Sequence, residues 1–390
     1  MLPVALRHSR LPRLVTRTLR STLQCPSSLR CFTVLGIESS ADDTGVAIVT
    51  SNAKILANVV KKQHLVHENY GGIHPYVAVQ THQKNLARAV KEALEQANMR
   101  ATDVDGIAFT RGPGMTGCLG VGSSAARTLA AALSKPLVGV HHMQAHALTP
   151  LLTSPPSSRP QFPFLTLLVS GGHTLLLLAT SVSDFRILAS TPDEAVGRVF
   201  DKVSRMLCLP WSKLGPGAAL EEFCLDDVDG TAPAVEVPTL PGAMPSVLGF
   251  SFSGLHSAVE RFVTANGGGE ALDVPTKRAL AREFQRAAVA QLEEKVQLGF
   301  DFCRRKGFEV RHVVVSGGVA SNSYLRERLR IRMEQASPDV PIALVFPPPS
   351  LCTDNAAMIA WASMPRFLAG DFDDYSIAIR PKWSIEELSS

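Results

Sequence analysis

The chain predicts an α/β fold made of two duplicated lobes, and three observations carry that reading. Two strand–turn–strand units, FTVLGIE–SSADDT–GVAIVT and FLTLLVS–GGH–TLLLLAT, begin at Phe32 and Phe164. Each opens a stretch in which strand-like and helix-like periodicities alternate. Glycine-rich turns follow buried strand patterns three times, at Gly112–Pro113–Gly114, Ser170–Gly171–Gly172 and Ser316–Gly317–Gly318.

The elements follow in order. FTVLGIE and GVAIVT are rich in β-branched residues, as buried strands are, and the polar turn SSADDT separates them. Residues 82–97 place Leu86, Val90, Ala93 and Ala97 at helical spacing with Lys84, Arg88 and Lys91 outward. IAFT reads as a short strand, RGPGMTG as a turn, and the alanine-rich run after it as a closely packed helix. PLVGV is a strand that ends at three histidines, His141, His142 and His146. Beyond the second unit, residues 226–250 are rich in Pro, Gly and Asp and read as an irregular excursion. A long helix carries Phe284, Ala288, Leu292, Val296 and Phe300 on one stripe. RHVVVSGGVASNSYLRERL is a strand, a Gly-Gly turn and a helix. CTDNAAMIAWASM starts a last helix at Asp354. The expected organisation is a leader 1–32, a first lobe 33–140, a second lobe 141–375 and a tail 376–390.

Composition narrows the function classes. No apolar run reaches the roughly 18 residues of a membrane helix. The net charge of +4 is concentrated in the leader: residues 1–32 hold six arginines and no acid, so the remainder is +4 − 6 = −2. An Arg- and Ser-rich, acid-free, mildly amphipathic start is what a mitochondrial transit peptide needs; the alternative is a plain basic tail. The seven cysteines form no CxxC pair, which fits reduced thiols inside a cell.

Chemistry concentrates in three places. Glycine turns let a backbone approach a ligand, and helix-start N–H groups favour phosphate. Neither GxxxxGK[ST] nor GxGxxG is present, so this is neither a P-loop nor a dinucleotide fingerprint. The turn 38–44 packs Glu38, Asp42 and Asp43 with three hydroxyls, and carboxylates so close repel unless a cation or a proton intervenes. His142 and His146 lie one helical turn apart, a metal-ligand spacing. The residues after His142 are Met143 and Gln144, so the glutamate base of an HExxH peptidase is absent. Asp354 is the candidate third ligand of a zinc- or iron-type site with an open position.

The motifs VLGIESSADDTGVAIV, YGGIHPYVAVQTHQKNL, TRGPGMTGCLGVGSSAARTLA, VHHMQAHALTP, FLTLLVSGGHT, FDKVSRMLCL, FSFSGLHSAV, VVVSGGVASNSYLR and CTDNAAMIAWASM stand in one order over roughly residues 33–385. In that order they resemble the tRNA N6-adenosine threonylcarbamoyltransferases, in their mitochondrial branch. The resemblance implies an actin-like ATPase fold with two α/β lobes around a nucleotide cleft. It implies transfer of threonylcarbamoyl from L-threonylcarbamoyl-AMP to N6 of the adenosine 3′ of the anticodon, in tRNAs reading ANN codons, with release of AMP. Carried over residue by residue, it implies one divalent metal ion on His142, His146 and Asp354. Substrate contacts would come from Leu168, Val169, Ser170, Gly171 and Gly172, from Asp201, from Gly215 or Gly217, and from Asn322. It also implies a separate adenylate-forming partner enzyme and a homodimer.

Some positions depart from the family pattern. Gly197 is followed by Arg198 where the family carries Glu, PWSKLGPG replaces YPGGP, and His256 replaces Lys. Acyl transfer to an adenine amine needs a proton acceptor, and Asp42, with Asp43 beside it, is the candidate. Basic patches for tRNA are Lys61–Lys62, Lys84/Arg88/Lys91, Arg304–Arg305–Lys306 and Arg326/Arg328/Arg330/Arg332. The rival readings are a metallopeptidase, which leaves the glycine turns unused, an actin-fold ATPase or sugar kinase, which leaves the His–His–Asp set unused, and a non-catalytic dimerising module.

Overall fold

The computed structural model describes residues 31–388 apart from 69, 71, 211, 213–214, 226–234 and 337–340. The expected transit peptide, through residue 30, and the first part of the excursion 226–250 therefore lie outside the described residues. The first sheet is formed by β1 (Thr33–Glu38), β2 (Thr44–Thr50), β3 (Ile55–Lys61), β4 (Gly106–Gly112) and β5 (Leu137–His141). Around it run α1 (His64–Glu68), α2 (Pro75–Ala97), α3 (Thr116–Ala132) and α4 (His142–Thr153). The second sheet is formed by β6 (Phe164–Val169), β7 (Thr174–Ala179), β8 (Phe185–Ser190), β9 (His312–Ser316) and β10 (Ala343–Val345). Its helices are α5 (Val196–Met206), α6 (Pro216–Leu225), α7 (Ser253–Ala265), α8 (Val274–Arg305), α9 (Ser323–Ala336), α10 (Pro349–Cys352) and α11 (Ala356–Leu368).

The two sheets have the same topology. Their strand orders are β3-β2-β1-β4-β5 and β8-β7-β6-β9-β10. In each, the first three strands are antiparallel neighbours and the last two join in parallel. A mixed five-stranded sheet used twice is the actin-like ATPase architecture. β1 and β6 are central in their sheets and every residue of both is buried, as strands covered on both faces must be.

The layers explain where chemistry can sit. α2 and α3 cover the outer face of the first sheet, through a core that includes Leu35, Ile37, Leu86, Phe109 and Ala126. The outer core of the second sheet joins Leu165, Leu176, Phe200, Phe284 and Leu292. Between the sheets lies a third core, in which α4 and α11 pack against Val34, Val138, Leu168 and Val314. α11 is drawn tight to the first sheet by two glycines. A Cβ on Gly36 would stand 2.6 Å from the Ala356 carbonyl oxygen, and one on Gly45 would stand 3.0 Å from the Ala356 nitrogen. Alanine at Gly36 would overpack this contact, a change that costs about 1–3 kcal/mol in a tight core.

Two features differ from the sequence expectation. α2 starts at Pro75, seven residues before the periodic stripe, because proline suits the first helical position and the His74 side chain caps Val77 N–H. The edge strands β3, β8 and β10 carry no strong signal of their own; each is recruited by pairing with a neighbour. Among the described residues no helix is long and apolar enough to cross a membrane.

Candidate functional site

The inner helices bring the predicted ligands together. His142 and His146 stand on α4, and their rings meet edge to face at 4.7 Å. Asp354 precedes α11, where Asn355 caps the helix by accepting from Met358 N–H at 3.1 Å. The Asn355 amide also donates to the Thr353 carbonyl at 2.8 Å, which holds the TDN turn and aims Asp354 inward. Asp354 Oδ1 lies 3.0 Å from His146 Nε2 and 3.4 Å from His142 Nε2. One potential ligand atom from each of the three residues falls within 4.8 Å of the others.

Glu38, at the end of β1, sits behind this cluster. Its carboxylate accepts from Thr110 Oγ1 at 2.5 Å and from Ser40 N–H at 2.6 Å, and lies 3.0 Å from His142 Nδ1. With the His142 proton on Nδ1, facing Glu38, the Nε2 lone pair is directed at the cluster, which is the carboxylate–histidine–metal arrangement. Burial opposes a charge on His142, but Glu38 and Asp354 on its two ring nitrogens outweigh it and raise its pKa to about 10. The pocket is thus built to hold positive charge. Two imidazoles and a carboxylate with a buried carboxylate behind them fit a divalent ion of the zinc or iron type, with a position left for substrate or water.

The acidic turn lies beside this centre. His82 pins it, with Nε2 donating to the Ala41 carbonyl at 3.0 Å and Nδ1 2.7 Å from Thr44 Oγ1. Desolvation and then the charge of Asp354 raise the pKa of Asp42. Desolvation, Asp42 and Asp354 push Asp43 to about 8. A carboxyl held as Asp43 is can exchange protons near neutral pH.

The second lobe contributes an open turn. Ser170 Oγ accepts from the N–H groups of Gly172 (3.3 Å) and His173 (3.0 Å), and nothing lies within 4 Å of where side chains on Gly171 and Gly172 would begin. Leu168 and Val169 are buried in β6 beneath it. α5 starts flush against the turn, with Gly197 N–H donating to the Ser170 carbonyl at 3.2 Å. On α5, Asp201 accepts from Gly217 N–H at 2.9 Å. Burial raises the Asp201 pKa to about 6, against the pull of Gly217 and Arg205 and with a push from Asp42. Gly215 adopts φ +108° in the turn before α6, with open space around it.

Asn322 is buried, and its amide is engaged. It caps α9 by accepting from Leu325 N–H at 2.8 Å and donates to Gln285 Oε1 at 3.0 Å. Its partner Gln285 and its neighbour Ser323, but not Asn322 itself, help line a cavity of about 630 Å³ with Glu221, Arg286 and Tyr324. The three glycine turns are not equivalent. A side chain on Gly112 would collide with the Arg380 carbonyl oxygen and one on Gly114 with Ser40, so the chain's own C-terminal segment fills the first turn. Gly317, at φ +97°, lies against the Val169 carbonyl of β6.

The family model of tRNA N6-adenosine threonylcarbamoyltransferase (TsaD) matches residues 54–361. The chain belongs to this family. It is 38% identical over 371 residues to a probable mitochondrial tRNA N6-adenosine threonylcarbamoyltransferase of Arabidopsis thaliana, across 91% of this chain and 75% of that protein. It is 39% identical over 359 residues to the tRNA N6-adenosine threonylcarbamoyltransferase of Bordetella avium (strain 197N), across 91% of this chain and 99% of that one. Component A of (R)-2-hydroxyglutaryl-CoA dehydratase from Acidaminococcus fermentans shares 15% identity at a TM-score of 0.49, over 86% of this chain and 98% of that one. The protein is a transferase that modifies tRNA.

Sequence reasoning for this threonylcarbamoyltransferase missed Glu38 as a partner of His142, and it missed His82. The signal for His82 was a polar residue four before Leu86, on the buried face of α2. The departures from the family pattern also find places. Arg198 is exposed in the first turn of α5. Lys202 pairs with Glu194 at 2.7 Å and stands beside His256, so a permanent cation is kept there. Several cations of the basic patches are already paired: Lys61 and Arg88 with Glu92, Arg328 and Arg332 with Glu293, and Arg330 with Glu327. Such pairing lowers the net charge these particular residues offer to tRNA phosphates.

Proposed function

We propose that this enzyme transfers the threonylcarbamoyl group of L-threonylcarbamoyl-AMP to N6 of the adenosine 3′ of the anticodon, in mitochondrial tRNAs reading ANN codons. The observation that carries this reading is the clustering of His142, His146 and Asp354 directly beside the acidic turn, where Glu38 and Ser40 Oγ lie 3.0 and 3.3 Å from His142 Nδ1. His142, His146 and Asp354 would hold one divalent ion, which supplies Lewis-acid polarisation and a fixed template when bound. The phosphate would sit over Gly171 and Gly172, where the turn is open, and would take the Gly172 and His173 N–H groups over from the Ser170 hydroxyl, with Leu168 and Val169 as the floor. Asp201, Gly215 and Gly217 would hold the nucleoside, and Asn322 would shape the wall beside it. In the transfer, N6 forms a bond to the carbamoyl carbon and the carbon–oxygen bond to phosphate breaks. The electron pair leaves on AMP, and Asp42 accepts the N6 proton, with Asp43 as the neighbouring carboxyl.

The test is reconstitution: the chain from Phe32 onward with unmodified tRNA, threonine, bicarbonate, ATP and a separate adenylate-forming synthase. Threonylcarbamoyladenosine in the digested tRNA is expected. Its absence, together with casein cleavage or sugar phosphorylation, would favour the metallopeptidase or kinase readings.

Location and assembly are part of the same reading. The acid-free arginine run of residues 1–32 and the mitochondrial Arabidopsis relative support import into the matrix. A reporter fused to residues 1–32 that stays in the cytosol would overturn import. Leu65, Val66, Tyr70, Ile73 and Tyr76 are exposed apolar side chains on and after α1, a surface suited to a second copy of the chain. A dimer in sedimentation that Tyr76→Asp converts to a monomer is the expected result.

A further inference from the structure

His141 precedes the helix face shared by His142 and His146, and the transfer chemistry gives it no part. Its geometry is nevertheless specific. It is the N-cap of α4, and its Nδ1 accepts from the backbone N–H groups of Met143 at 3.1 Å and Gln144 at 3.4 Å. A capping side chain satisfies donors that a helix start otherwise leaves unpaired. A ring that accepts at Nδ1 keeps its proton on Nε2, and His141 Nε2 donates to the Trp383 carbonyl at 3.1 Å.

Trp383 belongs to a C-terminal segment that is fastened along the first lobe. Asp373 N–H donates to the Leu137 carbonyl at 2.8 Å, and Arg380 N–H to the Arg111 carbonyl at 2.8 Å. The Pro381 carbonyl accepts from Gly114 N–H at 3.1 Å. The Trp383 ring lies 4.7 Å from the His141 ring, with the guanidinium groups of Arg111 and Arg380 over it at 5.2 and 4.8 Å. Farther on, Glu386 Oε1 accepts from Ile187 N–H on β8 at 2.8 Å, so the segment also touches the second sheet.

We propose that His141 is a positioning residue for the metal centre and that the C-terminal segment holds it in that role. The Trp383 carbonyl selects the His141 tautomer, the tautomer caps α4, and the cap sets the rotation at which His142 and His146 face Asp354. This rests on the metal reading of those three residues. It explains why Gly112 admits the Arg380 backbone and Gly114 N–H holds the Pro381 carbonyl, two residues before Trp383.

The experiment is titration of the metal-depleted full chain with Co²⁺, read by visible absorption and by competition with a chelator. Wild-type protein that bound no Co²⁺ would overturn the metal reading itself, and this proposal with it. If wild type binds, His141→Ala is expected to bind about tenfold or more weakly, the scale of lost support around metal ligands, with an altered Co²⁺ spectrum. Leu329→Ala, a buried change on α9 away from the site, controls for lost stability and should keep both affinity and spectrum. His141→Asn restores a cap that needs no tautomer, so it should regain most of the affinity lost in His141→Ala, and Trp383→Ala in the wild-type background carries the test if the alanine variant fails to fold. Trp383→Ala should weaken Co²⁺ binding too, and the double variant should be little worse than His141→Ala, because the two act in one chain of contacts. Wild-type Co²⁺ affinity and spectrum in His141→Ala, no recovery in His141→Asn, an equal loss in Leu329→Ala, or fully additive losses in the double variant would each overturn the proposal.

Discussion

The β1–β2 turn and the β6–β7 turn hold the same place in two copies of one sheet, yet they are built for opposite tasks. The first carries Asp42 and Asp43, is pinned by His82, and drives its carboxyls toward protonation. The second carries Ser170, Gly171 and Gly172, with no side chain over its glycines and its hydroxyl turned back to its own N–H groups. The helix after the fifth strand of each sheet repeats the lesson. α4 brings two histidines, and the turn before α11 brings the aspartate that completes their set. Duplication supplies equivalent positions, and substitution lets them differ: carboxyls raised toward protonation at one turn, open glycines at the other, and a His–His–Asp cluster on the helices between the sheets.

If α4 and the turn before α11 share one metal centre, deleting the contribution of either should be equally severe. Asp354→Ala and His146→Ala are each expected to lose the bound metal and to reduce threonylcarbamoyl transfer by about 10³-fold or more, since Lewis-acid stabilisation is worth several kcal/mol. Metal analysis alongside assay of modified tRNA checks this. A variant that keeps full turnover without metal would break the comparison at its root.

The two turns should then fail in different kinetic terms. Asp42→Asn is expected to lower kcat by about 10²–10⁴-fold, the range for a positioned proton acceptor, with KM for the adenylate little changed. Gly197→Ala would put a Cβ 2.6 Å from the Ser170 carbonyl oxygen and displace the second turn. Its expected effect is a rise in KM of about tenfold at nearly unchanged kcat, the signature of lost uniform binding. Both variants should retain metal. A kcat effect from Gly197→Ala with no change in KM would mean that the second turn does more than bind.

What the sequence disclosed followed from how local the signal was. His142 and His146 were legible because helical spacing alone puts them on one face, and Asp354 because a polar TDN turn precedes an apolar run. The duplicated sheet was legible in its central strands, which are apolar on both faces. β3, β8 and β10 were not, since edge strands are specified by their partners rather than by their own composition. The return of α11 to the first sheet is encoded by Gly36 and Gly45, more than 300 residues before it, and no window of sequence spans that contact. Glu38 could be seen as an acid but not as the partner of His142, and Gly112 gave no sign that it would make room for the chain's own C-terminal backbone.

The smallest expected difference between the turns is in stability against pH. In the unfolded chain Asp43 ionises near 3.8, and in the folded protein its pKa is raised to about 8 by desolvation, Asp42 and Asp354. A carboxyl shifted upward on folding leaves stability intact below its unfolded pKa and removes it progressively as pH rises toward the folded one, because the unfolded state gives up its proton first. Asp43→Asn has no such proton to lose. Its Tm should match wild type near pH 4 and exceed it by a few degrees at pH 8, although transfer activity falls. Ser170→Ala, at the equivalent turn of the second lobe, changes no ionisable group and should run parallel to wild type across the same range. Thermal melts from pH 4 to pH 9 decide the matter. An Asp43→Asn curve parallel to wild type would mean that a bound cation already keeps Asp43 ionised, and the acidic turn would then be a charge partner of the metal centre rather than a store of protons.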